Sequence, residues 1–287
     1  MKVFGASRRL AALVLTAAAL VTGIVPSGSG SAGALGIQPG PKPTIVLVHG
    51  AWADSSAWDG VIQRMQDAGY PVDAFPTPLQ GLASDSSVLA AYLQTISGPV
   101  VLVGHSYGGA VITNAASGDP NVRALVYVDA FAPAQGQTVA ELESAIPGSC
   151  LSGGGDPSKV FNFVPNPTLP AGDVDLYAKV APDSPYPGFA ACFANDMPAS
   201  QGAVLAATQR PLSSGAVNEE SGPPAWETIP SWYALGTEDR VILPAEQLAM
   251  AQAIHAHIID IPASHLAMVS HPGAVTAVII IAANATN

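Results

Sequence analysis

The chain predicts an α/β fold in which a mainly parallel, six-stranded sheet carries helices on both faces and one segment is inserted late in the sheet. Three observations lead there. Apolar runs alternate with helical patterns through both the first and the last part of the 287-residue sequence, and right-handed crossovers then place helices on both sides of a parallel sheet. Several runs, such as Thr44-Ile45-Val46-Leu47-Val48, are continuously apolar and β-branched, as strands buried on both faces are. Between residues 133 and 225 the alternation dissolves; this stretch holds both cysteines and half of the 26 prolines, so it cannot be mainly regular helix or strand.

Taken in order, the strands fall at 44–48, 72–75, 100–103, 124–128, 232–235 and 257–261, with helices near 55–68, 86–96, 109–116, 245–253 and 273–283. The length beyond residue 34 suits one such domain with a large core. No internal repeat is evident, no G-x-G-x-x-G follows a strand, and no His/Cys/Asp grouping has metal-ligand spacing. The expectation is therefore a protein with no cofactor and no metal.

Gly104-His105-Ser106-Tyr107-Gly108 stands between an apolar strand pattern and a helical one, and so reads as a nucleophile elbow. A serine at the tip of so sharp a turn sits in strained backbone, and the chain passes close enough that only Gly fits two residues before and after it. The helix behind Ser106 directs its first N–H groups toward the place where an oxyanion would form. Upstream, the first strand ends in His49-Gly50-Ala51-Trp52. A loop at the end of a neighbouring strand can aim a main-chain N–H at the same point, so Ala51 and Tyr107 are the candidate oxyanion donors, with His49 bracing the loop.

The segments IVLVHGAWADSSAW, VVLVGHSYGG, ALVYVDAFAP, IPSWYALGTEDRVILP and IPASHLAM, in that order, resemble the α/β-hydrolase family, and within it the compact subgroup of plant methylesterases and hydroxynitrile lyases. The resemblance covers roughly residues 44–133 and 226 to the C-terminus. It implies the α/β-hydrolase fold, a core of 35–132 and 226–287, and a lid at 133–225. It also implies a serine, acid, histidine order. Asp239, after a strand that breaks at Gly236, takes the acid position. Glu238 is adjacent but faces the other way in an extended loop, and Asp129, at another strand end, is the competing acid. His265 follows the last strand through a short Pro-Ala-Ser loop, at the carboxyl end where open α/β sheets gather their sites. His255 and His257 lie at the wrong end of that strand, His271 reads as a helix-start surface residue, and His105 is the variable residue of the elbow. Trp52, Phe131, Phe161, Phe163, Phe189, Phe193 and Met197 are candidate pocket lining.

At the N-terminus, Lys2, Arg8 and Arg9 precede an apolar run and an Ala32-Gly33-Ala34 site, the pattern of a signal peptide over 1–34, with a weak twin-arginine cue. Of 10 Lys/Arg and 21 Asp/Glu, removal of those three cations leaves 7 against 21, a net charge of −14. Such a balance suits a secreted protein without a membrane anchor and argues against nucleic-acid partners. In that compartment Cys150 and Cys192 read as one disulfide. The expected function is hydrolysis of small-molecule carboxylic esters by Ser106, His265 and Asp239. Two alternatives are a hydroxynitrile-type carbon–carbon lyase and a non-catalytic ligand-binding homologue. The lyases of the resembled subgroup carry a Lys after the histidine, where this chain has Leu266, so the esterase reading leads.

Overall fold

The computed structural model describes residues 42–286, and the leader expected over 1–34 lies outside them. Along the chain come β1 (Thr44–Val48), α1 (Asp59–Asp67), β2 (Val72–Phe75), α2 (Leu82–Leu93), β3 (Val100–His105), α3 (Tyr107–Ala115) and β4 (Val122–Val128). The inserted segment then supplies α4 (Val139–Ala145), β5 (Phe161–Pro165), β6 (Val174–Ala178), α5 (Phe189–Phe193), α6 (Ala199–Ala207) and β7 (Leu212–Ser213). The chain closes with β8 (Ser231–Gly236), α7 (Pro244–Ala253), β9 (His257–Ile261), α8 (Ala267–Ser270) and α9 (Pro272–Ala285).

The main sheet has the order β2-β1-β3-β4-β8-β9, and every pairing in it is parallel. Burial explains the composition of its strands. In the central β3 every residue from Val100 to His105 is buried, whereas the edge strand β9 buries only Ile261 and can hold His257 and Asp260. Chain order reverses between β1 and β3, because β2 lies on one side of β1 and β3 on the other. That switch point opens a crevice at the carboxyl ends of the two strands.

Two sequence expectations need adjustment. The second helix begins at Leu82, four residues before the expected start. Ser84 and Asp85 look like loop residues in sequence, but Asp85 turns inward and its carboxylate accepts the Tyr107 hydroxyl at 2.9 Å, which draws these residues into the helix. The inserted segment, read as irregular, contains a small antiparallel sheet of order β5-β6-β7 besides its short helices. Prolines sit at its boundaries, Pro165 closing β5, so they delimit short elements without forbidding them.

Cys150 and Cys192 are joined, with their Cα atoms 5.8 Å apart and a sequence separation of 42. Closing a loop of this length stabilises the fold by about 4 kcal/mol in the chain-entropy account. Reduction, or replacement of both cysteines by Ala, is expected to lower the thermal midpoint by about 10 °C. Scanning fluorimetry with and without reductant checks this, and an unchanged midpoint would mean that packing alone holds the loop.

Candidate active site

Strand register brings distant parts of the sequence to one place. Val48 of β1 pairs with Gly104 of β3, so the loop through Gly50 and Ala51 leaves the sheet beside the elbow. Gly236 of β8 pairs with Ile261 of β9, and the loops bearing Asp239 and His265 therefore emerge side by side.

Ser106 has φ 53° and ψ −124°, left-handed backbone that a non-glycine residue adopts only where its surroundings enforce it. The enforcement is steric. A Cβ on Gly104 would lie 2.5 Å from the Gly108 carbonyl oxygen, and one on Gly108 would lie 2.6 Å from the Val48 oxygen. Both glycines are thus required for β1, β3 and α3 to approach as they do.

The His265 imidazole joins Ser106 to Asp239: Nε2 is 3.0 Å from Ser106 Oγ, and Nδ1 is 2.8 Å from Asp239 Oδ2. All three side chains are buried. Asp239 also accepts the N–H groups of Val241 at 2.7 Å and Ile242 at 3.1 Å, and Nε2 of Gln247 at 2.7 Å. Burial pushes this carboxyl up and the two backbone donors pull it down. Asp129, the competing acid, is buried beside it but does not reach His265. Its Oδ2 takes the Ala267 N–H at 3.3 Å while Oδ1 has no partner, and burial followed by the Asp239 charge pushes its carboxyl well up. Because four donors converge on Asp239, the negative charge of this neighbouring pair resides there. Glu238 is exposed.

The remaining histidines separate by location. His105 is buried under the histidine loop, with Nε2 2.8 Å from the His265 carbonyl oxygen and the two rings 4.8 Å apart. It braces the loop, a role its position within the elbow did not reveal. His49 is buried with Nδ1 2.9 Å from the Gly50 oxygen, in the loop that carries Ala51. His257 lies against Trp232 at the start of β9, His255 precedes that strand, and His271 stands at the start of α9.

Ala51 and Tyr107 both border the cavity above Ser106, and neither N–H has a backbone acceptor among the described residues. Trp52 fixes the first of these loops. It has φ 54°, donates its backbone N–H to Arg210 O at 3.0 Å, and donates Nε1–H to Leu176 O at 2.8 Å.

The cavity is apolar, with Trp52, Phe131, Phe161, Leu176 and Val241 among its walls, and it includes one ionisable carboxyl group, Glu143. Phe163, Phe189, Phe193 and Met197 do not line it, which corrects the sequence expectation. Phe163 follows Phe161 on the same face of β5 but is 48% exposed. Phe189 and Phe193 stack on each other at 4.5 Å inside the insertion, and Phe193 packs its ring at 5.8 Å from His265, supporting the imidazole from outside the cavity. Met197 packs against the core. Glu143 and Gln247 were not singled out in the sequence: each is a polar residue within a helix, with no local pattern to mark it.

A parallel sheet of this order, with a serine on its strand-to-helix corner and a histidine and acid on later strand ends, defines the class of α/β hydrolases. The chain belongs to the alpha/beta hydrolase family, whose model matches residues 45–278. Among curated relatives it is similar to a carbendazim hydrolyzing esterase from Nocardioides sp. (strain SG-4G), 34% identical over 116 residues, which are 36% of this chain and 48% of that one. It is also similar to a probable hydrolase R7 from Phoma sp., 30% identical over 112 residues, 34% of this chain and 46% of the relative. The chain thus spans about half the length of the curated relatives it matches. Among solved structures, a pyrethroid hydrolase from Sphingobium faniae JZ-2 superposes with a TM-score of 0.65 at 23% identity, covering 85% of this chain and 98% of the other. Polyneuridine aldehyde esterase superposes with a TM-score of 0.69 at 18% identity, covering 84% and 98%.

Two outcomes are expected of this geometry. Burial lowers the His265 pKa from 6.5 to about 3, so the folded protein keeps the ring neutral while the unfolded chain protonates it near 6.5. The neutral form is present above the folded pKa and lost as pH falls through it. Nitrogen chemical shifts of the His265 ring should therefore stay those of a neutral imidazole well below pH 6.5, and protonation at or above 6.5 would mean that the Asp239 charge outweighs burial. Separately, Gln247→Ala leaves a buried carboxylate without one donor. It is expected to destabilise the fold by about 2 kcal/mol in chemical denaturation.

Proposed function

We propose that the protein is a serine esterase that hydrolyses small-molecule carboxylic esters through an acyl-enzyme, with residues 133–225 acting as the lid over a core of 35–132 and 226–287. The observation that carries this reading is the unbroken line of hydrogen bonds from Ser106 Oγ, which borders an apolar cavity, through His265 to Asp239. In the reaction, His265 Nε2 takes the hydroxyl proton as Ser106 Oγ attacks the ester carbonyl. The imidazolium that forms is oriented and stabilised by Asp239 through Nδ1–H. The carbonyl oxygen, now negative, lies between the N–H groups of Ala51 and Tyr107, a pair of donors whose individual removal elsewhere costs about 3 kcal/mol. His265 returns the proton to the departing alcohol, and a water then attacks the acyl-enzyme by the same route in reverse. The residues call for no metal or organic cofactor.

The esterase and hydrolase names of the relatives support the reaction class. The lyase alternative lacks support at the position that matters: Leu266, next to His265, is buried and apolar and offers no charge to a departing cyanide. Export through a leader over 1–34 is part of the proposal. The bridged Cys150 and Cys192 suit an oxidising compartment, and no helix among the described residues is long and apolar enough to cross a membrane.

A panel of 4-nitrophenyl esters of graded acyl length, assayed beside mandelonitrile, tests the proposal. Ester turnover is expected, with Ser106→Ala abolishing both turnover and labelling by a fluorophosphonate, and Asp239→Asn lowering kcat by about 10³-fold to 10⁴-fold in a folded protein. Cyanide release without ester turnover would replace the esterase with the lyase. Ligand binding with neither activity would leave the binding homologue.

A further inference from the structure

The cavity above Ser106 does not end at its apolar walls. It measures about 90 Å³ in the space open to the centre of a water molecule, several times what one water needs. Beyond it lies a wider groove of about 420 Å³ along the end of α4 and the turn that follows Cys150. Glu143, Leu151 and Phe161 belong to the walls of both, so the inner cavity and the outer groove adjoin at these three residues, the neck of the site. An ester whose carbonyl reaches Ser106 and whose remainder extends outward passes Glu143.

Glu143 is an unusual residue for that place. Among the described residues no Lys or Arg forms an ion pair with it. Burial pushes its carboxyl up, and the neighbouring Ser149 hydroxyl opposes this by hydrogen bonding; no cation contributes. The Glu246 carboxyl, which feels the Glu143 charge, is itself buried, without a partner, and pushed up to about 8 by burial and by Glu143 and Asp239, so it is uncharged at neutral pH. What remains at the neck is one carboxylate lacking a counterion, in a wall otherwise built from apolar side chains. Trp52 and Phe161, stacked at 5.3 Å, border the same cavity and add aromatic surface of the kind that attracts cations.

We propose that Glu143 is the specificity-determining residue of the site and selects esters that carry a protonated or N–H-bearing nitrogen a few bonds from the carbonyl, so that the nitrogen reaches the neck while the carbonyl reaches Ser106. The proposal rests on the esterase reading for its substrate class. Its physical basis is a part-buried carboxyl group whose hydrogen bond comes from the Ser149 hydroxyl and which has no cation beside it. A charged donor from the substrate supplies that missing counterion, and an alkyl group of the same shape does not.

The test uses pairs of methyl esters that differ at one atom. Methyl 3-(dimethylamino)propanoate, protonated at pH 7, is matched with methyl 4-methylpentanoate, and the next two longer homologues of each complete a series that spans the neck. Dividing kcat/KM for the amine by kcat/KM for its alkyl partner, and comparing that ratio between variants, cancels the intrinsic reactivity of the esters. The expected result is a ratio that peaks at one chain length, falls about tenfold or more in Glu143→Gln, and is largely kept in Glu143→Asp. Binding of the same pairs to Ser106→Ala, followed by calorimetry, should show the same preference and the same loss when Glu143→Gln is added. Turnover of both ester types with a ratio that Glu143→Gln leaves unchanged would overturn the proposal and leave the esterase intact. Preferential binding of the amine, dependent on Glu143, in a protein that hydrolyses no ester would leave Glu143 as the selector and overturn the esterase. Absence of any preference in both measurements overturns the proposal outright.

Discussion

The left-handed backbone of Ser106 is the constraint on which the rest depends. A non-glycine residue at φ 53° costs of order 1–3 kcal/mol, and it persists because β1, β3 and α3 are pressed together through Gly104 and Gly108 with no room for another path. That close approach is itself a product of the sheet. Only a strand buried on both faces and flanked by parallel neighbours in the register Val48 to Gly104 and His105 to Val128 can hold the turn so tightly. Once the serine is fixed at the corner, the histidine loop has one place to land, and His105 beneath it sets the height of the His265 main chain.

The second organising fact is electrostatic. Charged residues make up only 11% of the chain, yet several acids are buried around the site, among them Asp85, Asp129, Asp239 and Glu246. None of these is matched by Lys or Arg among the described residues. They are held instead by donors from the backbone, from the Tyr107 hydroxyl or from Gln247, or they are kept neutral by burial. Among the described residues no Lys or Arg pairs with the Asp239 carboxylate, and His265 Nδ1 is its ionisable partner.

Much of this organisation was legible in the sequence, for a physical reason: the strands are buried on both faces and therefore uninterrupted in their apolar character, and the elbow needs glycine at fixed offsets. Strand ends alone offered both Asp129 and Asp239, and it was the family resemblance that favoured Asp239 and, together with the strand-end position, His265. What could not be read depends on packing between distant segments. Gln247 is an ordinary helix residue until the turn through Val241 folds the carboxylate over it. Glu143 looks like a solvent-facing residue of a short helix capped by Thr138 and Glu141, until the insertion closes over it. Aromatic content alone could not separate Phe161, in the cavity wall, from Phe189 and Phe193, which pack on each other. Nor does proline content distinguish irregular chain from a small sheet with prolines at its margins.

The insertion is attached to the core unevenly. Around α5 it is tied to both loops of the site: Asp196 accepts the Ser264 N–H and hydroxyl next to His265, Asn195 donates to Glu238 O, and Arg240 donates to Ala191 O. The β5–β6 hairpin touches that machinery mainly through the Trp52 indole bonded to Leu176 O, and its outer residues face solvent. The two halves of the insertion therefore carry different mechanical loads. Change near Ala191–Asp196 disturbs the alignment of His265 and Asp239, whereas change in the hairpin alters the cavity wall and leaves that alignment standing. The hairpin is the part of the insertion that can be reshaped on its own, like a door panel hung on a fixed frame.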